Sequence, residues 1–100
     1  TPRVPEGTKA SWQAYVCYVD ADKAPLPRNE IMEILQKKGI STRPGTHAVH
    51  MLGLYRDQFG IKPEDFPNAK NADAQSMAIP LHNRMDAEDY SYIVKVLKEI

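Results

Sequence analysis

The chain has 100 residues, 42% apolar and 26% charged, with thirteen basic and thirteen acidic side chains. That length fits one domain with a modest core, burying roughly 65% of the unfolded chain's surface. The balanced charge leaves no footprint for nucleic acid or an anionic membrane as the main partner, and no apolar run approaches the ~18 residues that would span a bilayer.

Residues 1–11 carry Pro2, Pro5 and Gly7 without periodicity and read as a linker or extended entry; residues 12–100 form the domain. Trp12 to Val19 is the clearest strand, with Trp12, Ala14, Val16 and Tyr18 on one face and Tyr15, Cys17 and Val19 on the other. Apolar groups on both faces predict a covered, central strand. Cys17 is the single cysteine and reads as a buried, reduced thiol in a cytoplasmic protein.

Asp20 to Pro27 is a turn, followed by a helix over Arg28 to Lys38 with Ile31, Ile34 and Leu35 on its buried face. Gly39 suits the left-handed position past its end. Ile40 to Arg43 predicts a short strand, Pro44-Gly45 the centre of a type II turn, and Thr46 the N-cap of the next helix. That helix is expected from about His47 to Phe59, with Ala48, Met51, Leu52, Tyr55 and Phe59 as a buried stripe closed by Gly60. Residues 62–67 read as a loop, Asn68 to Ala74 as a short helix, and Ser76 to Leu81 as a strand with Pro80 at its end or on an edge. The last helix has the best start signal. Asp86 is its N-cap, Asp89 the capping-box acid, and Met85 with Tyr90 a hydrophobic staple. Tyr90, Ile93, Val94 and Leu97 are expected to face the core. The sum is a small two-layer α+β domain: a three-stranded sheet with three to four helices against it. The missing initiator Met, and a helical pattern running to Ile100 without a stop, are what a piece of a longer protein would show.

Four residues form the candidate substrate-binding site: Arg43, Thr46, His47 and His50. A helix beginning at Thr46 would present free amides beside Arg43 and His47, an arrangement that can hold an anion. The positive end of a helix disfavours a cation, so His47 would act there by hydrogen bonding. His47 and His50 are also spaced to share a metal. No cysteine or carboxylate lies near them in sequence, so a capping or surface pair is the plainer reading. The serines lack a base or elbow motif, and the paired acids Glu64-Asp65 and Glu88-Asp89 sit in no apolar setting that would tune them for proton transfer. No catalytic residue is found in these hundred.

The run Gly39-Ile40-Ser41-Thr42-Arg43, followed by His47-Ala48-Val49-His50, resembles the signature of the C-terminal domain of the DegT/DnrJ/EryC1/StrS aminotransferases. Tyr55-Arg56 leading to Gly60, Asp65-Phe66-Pro67-Asn68-Ala69, Ile79-Pro80-Leu81, and the helix start Asp86-Ala87-Glu88-Asp89-Tyr90 extend the resemblance to Ile100. It implies the small domain of a pyridoxal-phosphate enzyme of the aspartate-aminotransferase fold type. Such enzymes transfer an amino group, usually from glutamate, to a keto-sugar nucleotide or keto-cyclitol in polysaccharide or antibiotic biosynthesis. They are typically cytoplasmic homodimers. The resemblance also implies that the Schiff-base lysine lies in a large N-terminal domain, and that this fragment is inactive alone and binds no cofactor; no metal site is expected from the residues themselves. It places the loop from Arg43 to His50 nearest the substrate. One departure stands out: Ala48-Val49 replace the aromatic and prolines usual between the two histidines.

The alternative reading is a stand-alone small-ligand-binding or regulatory α+β module. A ferredoxin-like fold needs four strands, and three are found. Roughly 250 to 300 further residues upstream in the native reading frame, carrying a lysine-bearing cofactor motif, would decide between the two.

Overall fold

The computed structural model describes residues 3–100. Thr1 and Pro2, the start of the expected entry segment, lie outside the described residues. The elements are β1 (Tyr15–Tyr18), α1 (Arg28–Lys37), β2 (Arg43–Pro44), α2 (Gly53–Phe59), α3 (Pro67–Gln75), β3 (Ser76–Ile79) and α4 (Ala87–Glu99). Single 3-10 turns sit at Val49–Met51 and Pro63–Asp65. The strands pair antiparallel in the order β1-β3-β2, so this is the small α+β domain that the sequence implies.

The core lies on one side of the sheet. Val19, Ile31, Leu35, Ile40, Met77, Ile93 and Val96 form it, with Cys17, Met32, Ile79, Met85 and Leu97 packed around them. Alternation along the strands explains the choice: Cys17 and Met77 are directly paired, so both side chains fall on the face that α1 and α4 cover. Burial pushes the Cys17 thiol above its ordinary pKa, because the thiolate would lose solvation. It therefore stays a small apolar packing group rather than a nucleophile.

Helix α1 ends as its sequence dictates. Gly39 takes φ 78°, its N–H bonds Gln36 O at 3.0 Å, and the Ile40 N–H reaches back to Leu35 O at 2.9 Å. This is a Schellman closure, which places the residue after the glycine against the helix's apolar face. Ile40 is thus buried as part of the α1 stop and not as the first residue of a strand. Helix α4 begins at Asp86, whose Oδ1 accepts from Glu88 N (2.8 Å) and Asp89 N (3.1 Å) while Asp89 Oδ2 accepts from Asp86 N (3.2 Å). Asp86→Ala should therefore cost about 1–2 kcal/mol, read as a lower denaturation midpoint at unchanged m-value.

Four expectations change. Strand β1 is shorter than Trp12 to Val19 and lies at an edge; β3 is central. Its apolar residues on two faces do not mean two covered faces, since Val16 and Tyr18 stay exposed. The helix expected from His47 to Phe59 is two pieces, because Leu52 takes an extended conformation (φ −68°, ψ 134°) between the 3-10 turn and α2. Of its stripe only Ala48 is buried; Met51, Leu52, Tyr55 and Phe59 are exposed. Gly60 does close it, at φ 64°. On α4 the inward residues are Ile93 and Val96, with Leu97 partly covered, whereas Tyr90 and Val94 face out. Residues 63–65, read as loop, make a 3-10 turn, which Asp65 ties by accepting from Lys62 N at 2.8 Å.

Candidate functional site

Arg43 sits on β2, opposite Ala78 of β3. Its guanidinium is exposed. It makes no ion pair and no side-chain hydrogen bond among the described residues, a contrast with Arg28, which donates to Asp73 O and Ala74 O. Arg43 also lines a cleft of about 750 Å³ between the β3 end and α4, together with Ser41, Pro80, His82, Asp89 and Tyr92. Much of the polar lining is already engaged. Asp89 completes the α4 cap, and the Tyr92 hydroxyl donates to Lys38 O at 3.0 Å. His82 Nδ1 accepts from Arg84 N at 3.2 Å, which leaves Nε2 to carry the ring proton in the neutral form.

The turn expected at Pro44-Gly45 does not form. Gly45 continues the β2 ladder, its N–H bonding Ser76 O at 3.0 Å, and its φ is not positive. Nor does Thr46 cap a helix, since the following 3-10 turn starts after Ala48 without a side-chain cap. No helix therefore starts at Thr46 beside Arg43, and the dipole argument for His47 does not apply. His47 lies outside any helix or strand, its Nδ1 3.7 Å from Asp73 Oδ1, with most of its side chain in solvent.

His50 is a different kind of residue. It is 7% exposed; its Nε2 lies 3.3 Å from Pro63 O, and its ring packs against Phe66 with centroids 5.1 Å apart. With Nε2 protonated, it donates to that carbonyl and ties the turn at 49–51 to the one at 63–65. His50 thus positions the loop rather than presenting a group to a ligand. Sequence spacing gave no sign of this, because its partners lie 13 and 16 residues on. The two imidazoles do not converge, and no group of three or more His, Cys, Asp or Glu among the described residues could hold a metal ion. Only Arg43, Thr46 and His47 remain as exposed polar groups along one stretch of backbone.

The fold has solved counterparts. Spr1654 of Streptococcus pneumoniae, assigned as a sugar aminotransferase, superposes with a TM-score of 0.74 in its apo form and 0.73 in its PMP form. At 24% identity, over 86% of this chain and 21% of that one, the likeness concerns the fold. Among curated proteins, the spore coat polysaccharide biosynthesis protein SpsC of Bacillus subtilis is 33% identical over 101 residues. An uncharacterised protein of Methanocaldococcus jannaschii is 29% identical over 100. Each alignment takes in all of this chain but only 26% of the relative, so the chain spans about a quarter of the proteins it matches. The model of the DegT/DnrJ/EryC1/StrS aminotransferase family matches residues 1–98, and the chain belongs to that family.

Proposed function

We propose that this chain is the C-terminal small domain of a pyridoxal-phosphate-dependent aminotransferase. Its parent acts in the cytoplasm, as a homodimer, on a keto-sugar nucleotide or keto-cyclitol in polysaccharide or antibiotic biosynthesis. The observation that carries the reading is the family match over residues 1–98 of a chain covering 26% of its relatives. A relative named for spore coat polysaccharide biosynthesis supports the substrate class. No helix among the described residues is long and apolar enough to cross a membrane.

The residues present do not fit a Schiff-base site. No lysine lines the cleft beside Arg43. Lys23, Lys70 and Lys95 meet acidic neighbours on the surface. On this reading the cofactor is held by the large N-terminal domain, and the isolated chain is inactive. What this chain contributes is an always-charged guanidinium, unpaired among the described residues, on the short edge strand β2, with Thr46 and His47 a few residues on. A guanidinium can clamp the diphosphate of a nucleotide-linked sugar through paired N–H donors.

Arg43→Ala in the parent should raise KM for the sugar nucleotide by roughly 10- to 100-fold, as losing a charge-assisted contact of about 1.5–3 kcal/mol would do. The cofactor's absorbance and kcat should stay near wild type. An unchanged KM would remove Arg43 from the site.

A further inference from the structure

The acid beside His47 is held in place by its backbone. Asp73 lies in the last turn of α3, where four successive carbonyls accept bonds from other groups. The Ser76 hydroxyl donates to Ala72 O, Arg28 donates to Asp73 O (2.8 Å) and Ala74 O (3.1 Å), and Val19 N donates to Gln75 O (2.8 Å). His47 is anchored as well. Two residues before it Gly45 N bonds Ser76 O at 3.0 Å, and the next residue, Ala48, is buried. Both members of the pair are thus fixed against the start of the central strand. Among the described residues the Asp73 carboxylate accepts no hydrogen bond, and Arg28, though bonded to the Asp73 carbonyl, makes no ion pair with it. Its charged neighbour is His47, whose Nδ1 stands 3.7 Å away.

That separation is too long for a hydrogen bond. It still selects a ring nitrogen, because a carboxylate attracts an N–H and repels a lone pair. The proton of the neutral ring then sits on Nδ1, and Nε2 on the far side is left as an acceptor. Resting on the function proposed above, we infer that Asp73 is a positioning residue for substrate binding. It fixes the tautomer of His47, so that Nε2 accepts a hydrogen bond from a hydroxyl of the substrate. Arg43 donates to an anion, and His47 accepts from an alcohol. A nucleotide-linked sugar carries both groups.

The test joins a spectroscopic and a kinetic readout on the parent. Magic-angle-spinning NMR of parent labelled with 15N-histidine is recorded at about pH 8, where an exposed imidazole is neutral. His47 is identified by the signals that His47→Gln removes. Wild type should show the proton on Nδ1, and Asp73→Ala should move it to Nε2. The same tautomer with and without Asp73 would overturn the inference. In the assay, Asp73→Ala should raise KM for the keto-sugar nucleotide roughly 3- to 10-fold, as loss of one neutral hydrogen bond does, with the loss in KM rather than kcat. In the His47→Ala background it should change KM by less than about twofold. An unchanged KM in the single variant, or an equal rise without His47, would overturn it, the second by showing a structural role alone. An Asp73-dependent tautomer in a protein that aminates no keto-sugar sinks the proposed function and keeps the pair. An active enzyme whose His47 ignores Asp73 does the reverse.

Discussion

Gly45→Val should destabilise the chain by roughly 3 kcal/mol or more, and even Gly45→Ala should cost a large part of this, since overpacking and a lost ladder bond add. A β-carbon at this position would stand 2.6 Å from both Ser76 Oγ and Val16 Cγ1, and 2.8 Å from Ser76 Cβ. Ser76 cannot swing aside freely: it is buried on the central strand, and its hydroxyl donates to Ala72 O. The strands must part, which strains the hydrogen bond from Gly45 N to Ser76 O. The cause is close approach, not a left-handed backbone. Adding Val16→Ala to Gly45→Ala should therefore recover part of the stability in a urea titration, because one of the three close contacts goes with the valine methyl. A loss that Val16→Ala leaves untouched would mean the backbone conformation, and not the contact, demands glycine.

Leu35→Ala should cost about 2–5 kcal/mol. Leu35 is 0% exposed and belongs to the cluster that holds Ile31 beside it, Met77 of the sheet, and Ile93 and Val96 of α4. Truncation leaves a cavity among three elements, and none can collapse into it without moving the others. Val94→Ala on α4 is the control: Val94 is exposed, so it should shift the midpoint little. Equal losses from the two substitutions would mean that the α4 face is misassigned.

Local chemistry was readable wherever a residue's partners lie within a few positions. Gly39, Gly60, the Asp86–Asp89 box and Pro80 just past β3 behave as their neighbours imply. Where a distant group decides, neighbouring residues do not reveal the outcome. Pro44-Gly45 has turn preferences, but a bond from Gly45 N to Ser76 O, thirty-one positions on, holds it against the central strand instead. The stripe Met51, Leu52, Tyr55, Phe59 keeps helical spacing, yet the period reports only that a face is apolar, never what covers it. Strand β1 erred for the same reason: its two apolar faces suggested a central position, while one of them is bare here.

The candidate site shared that fate. Arg43 and His47 are both exposed. The helix start meant to assemble them is absent. His50 became a buried tie to Pro63, because its carbonyl partner could not be foreseen from spacing.

The most direct measurement is made on the full-length parent: pyridoxal phosphate, glutamate as amino donor, and a panel of nucleotide-linked keto-sugars and keto-cyclitols, with products identified by mass spectrometry. A ketone on at least one of them should be converted to an amine, with 2-oxoglutarate formed in equal amount, and Arg43→Ala should raise KM for that acceptor. A folded, cofactor-loaded parent that aminates none of them would contradict it.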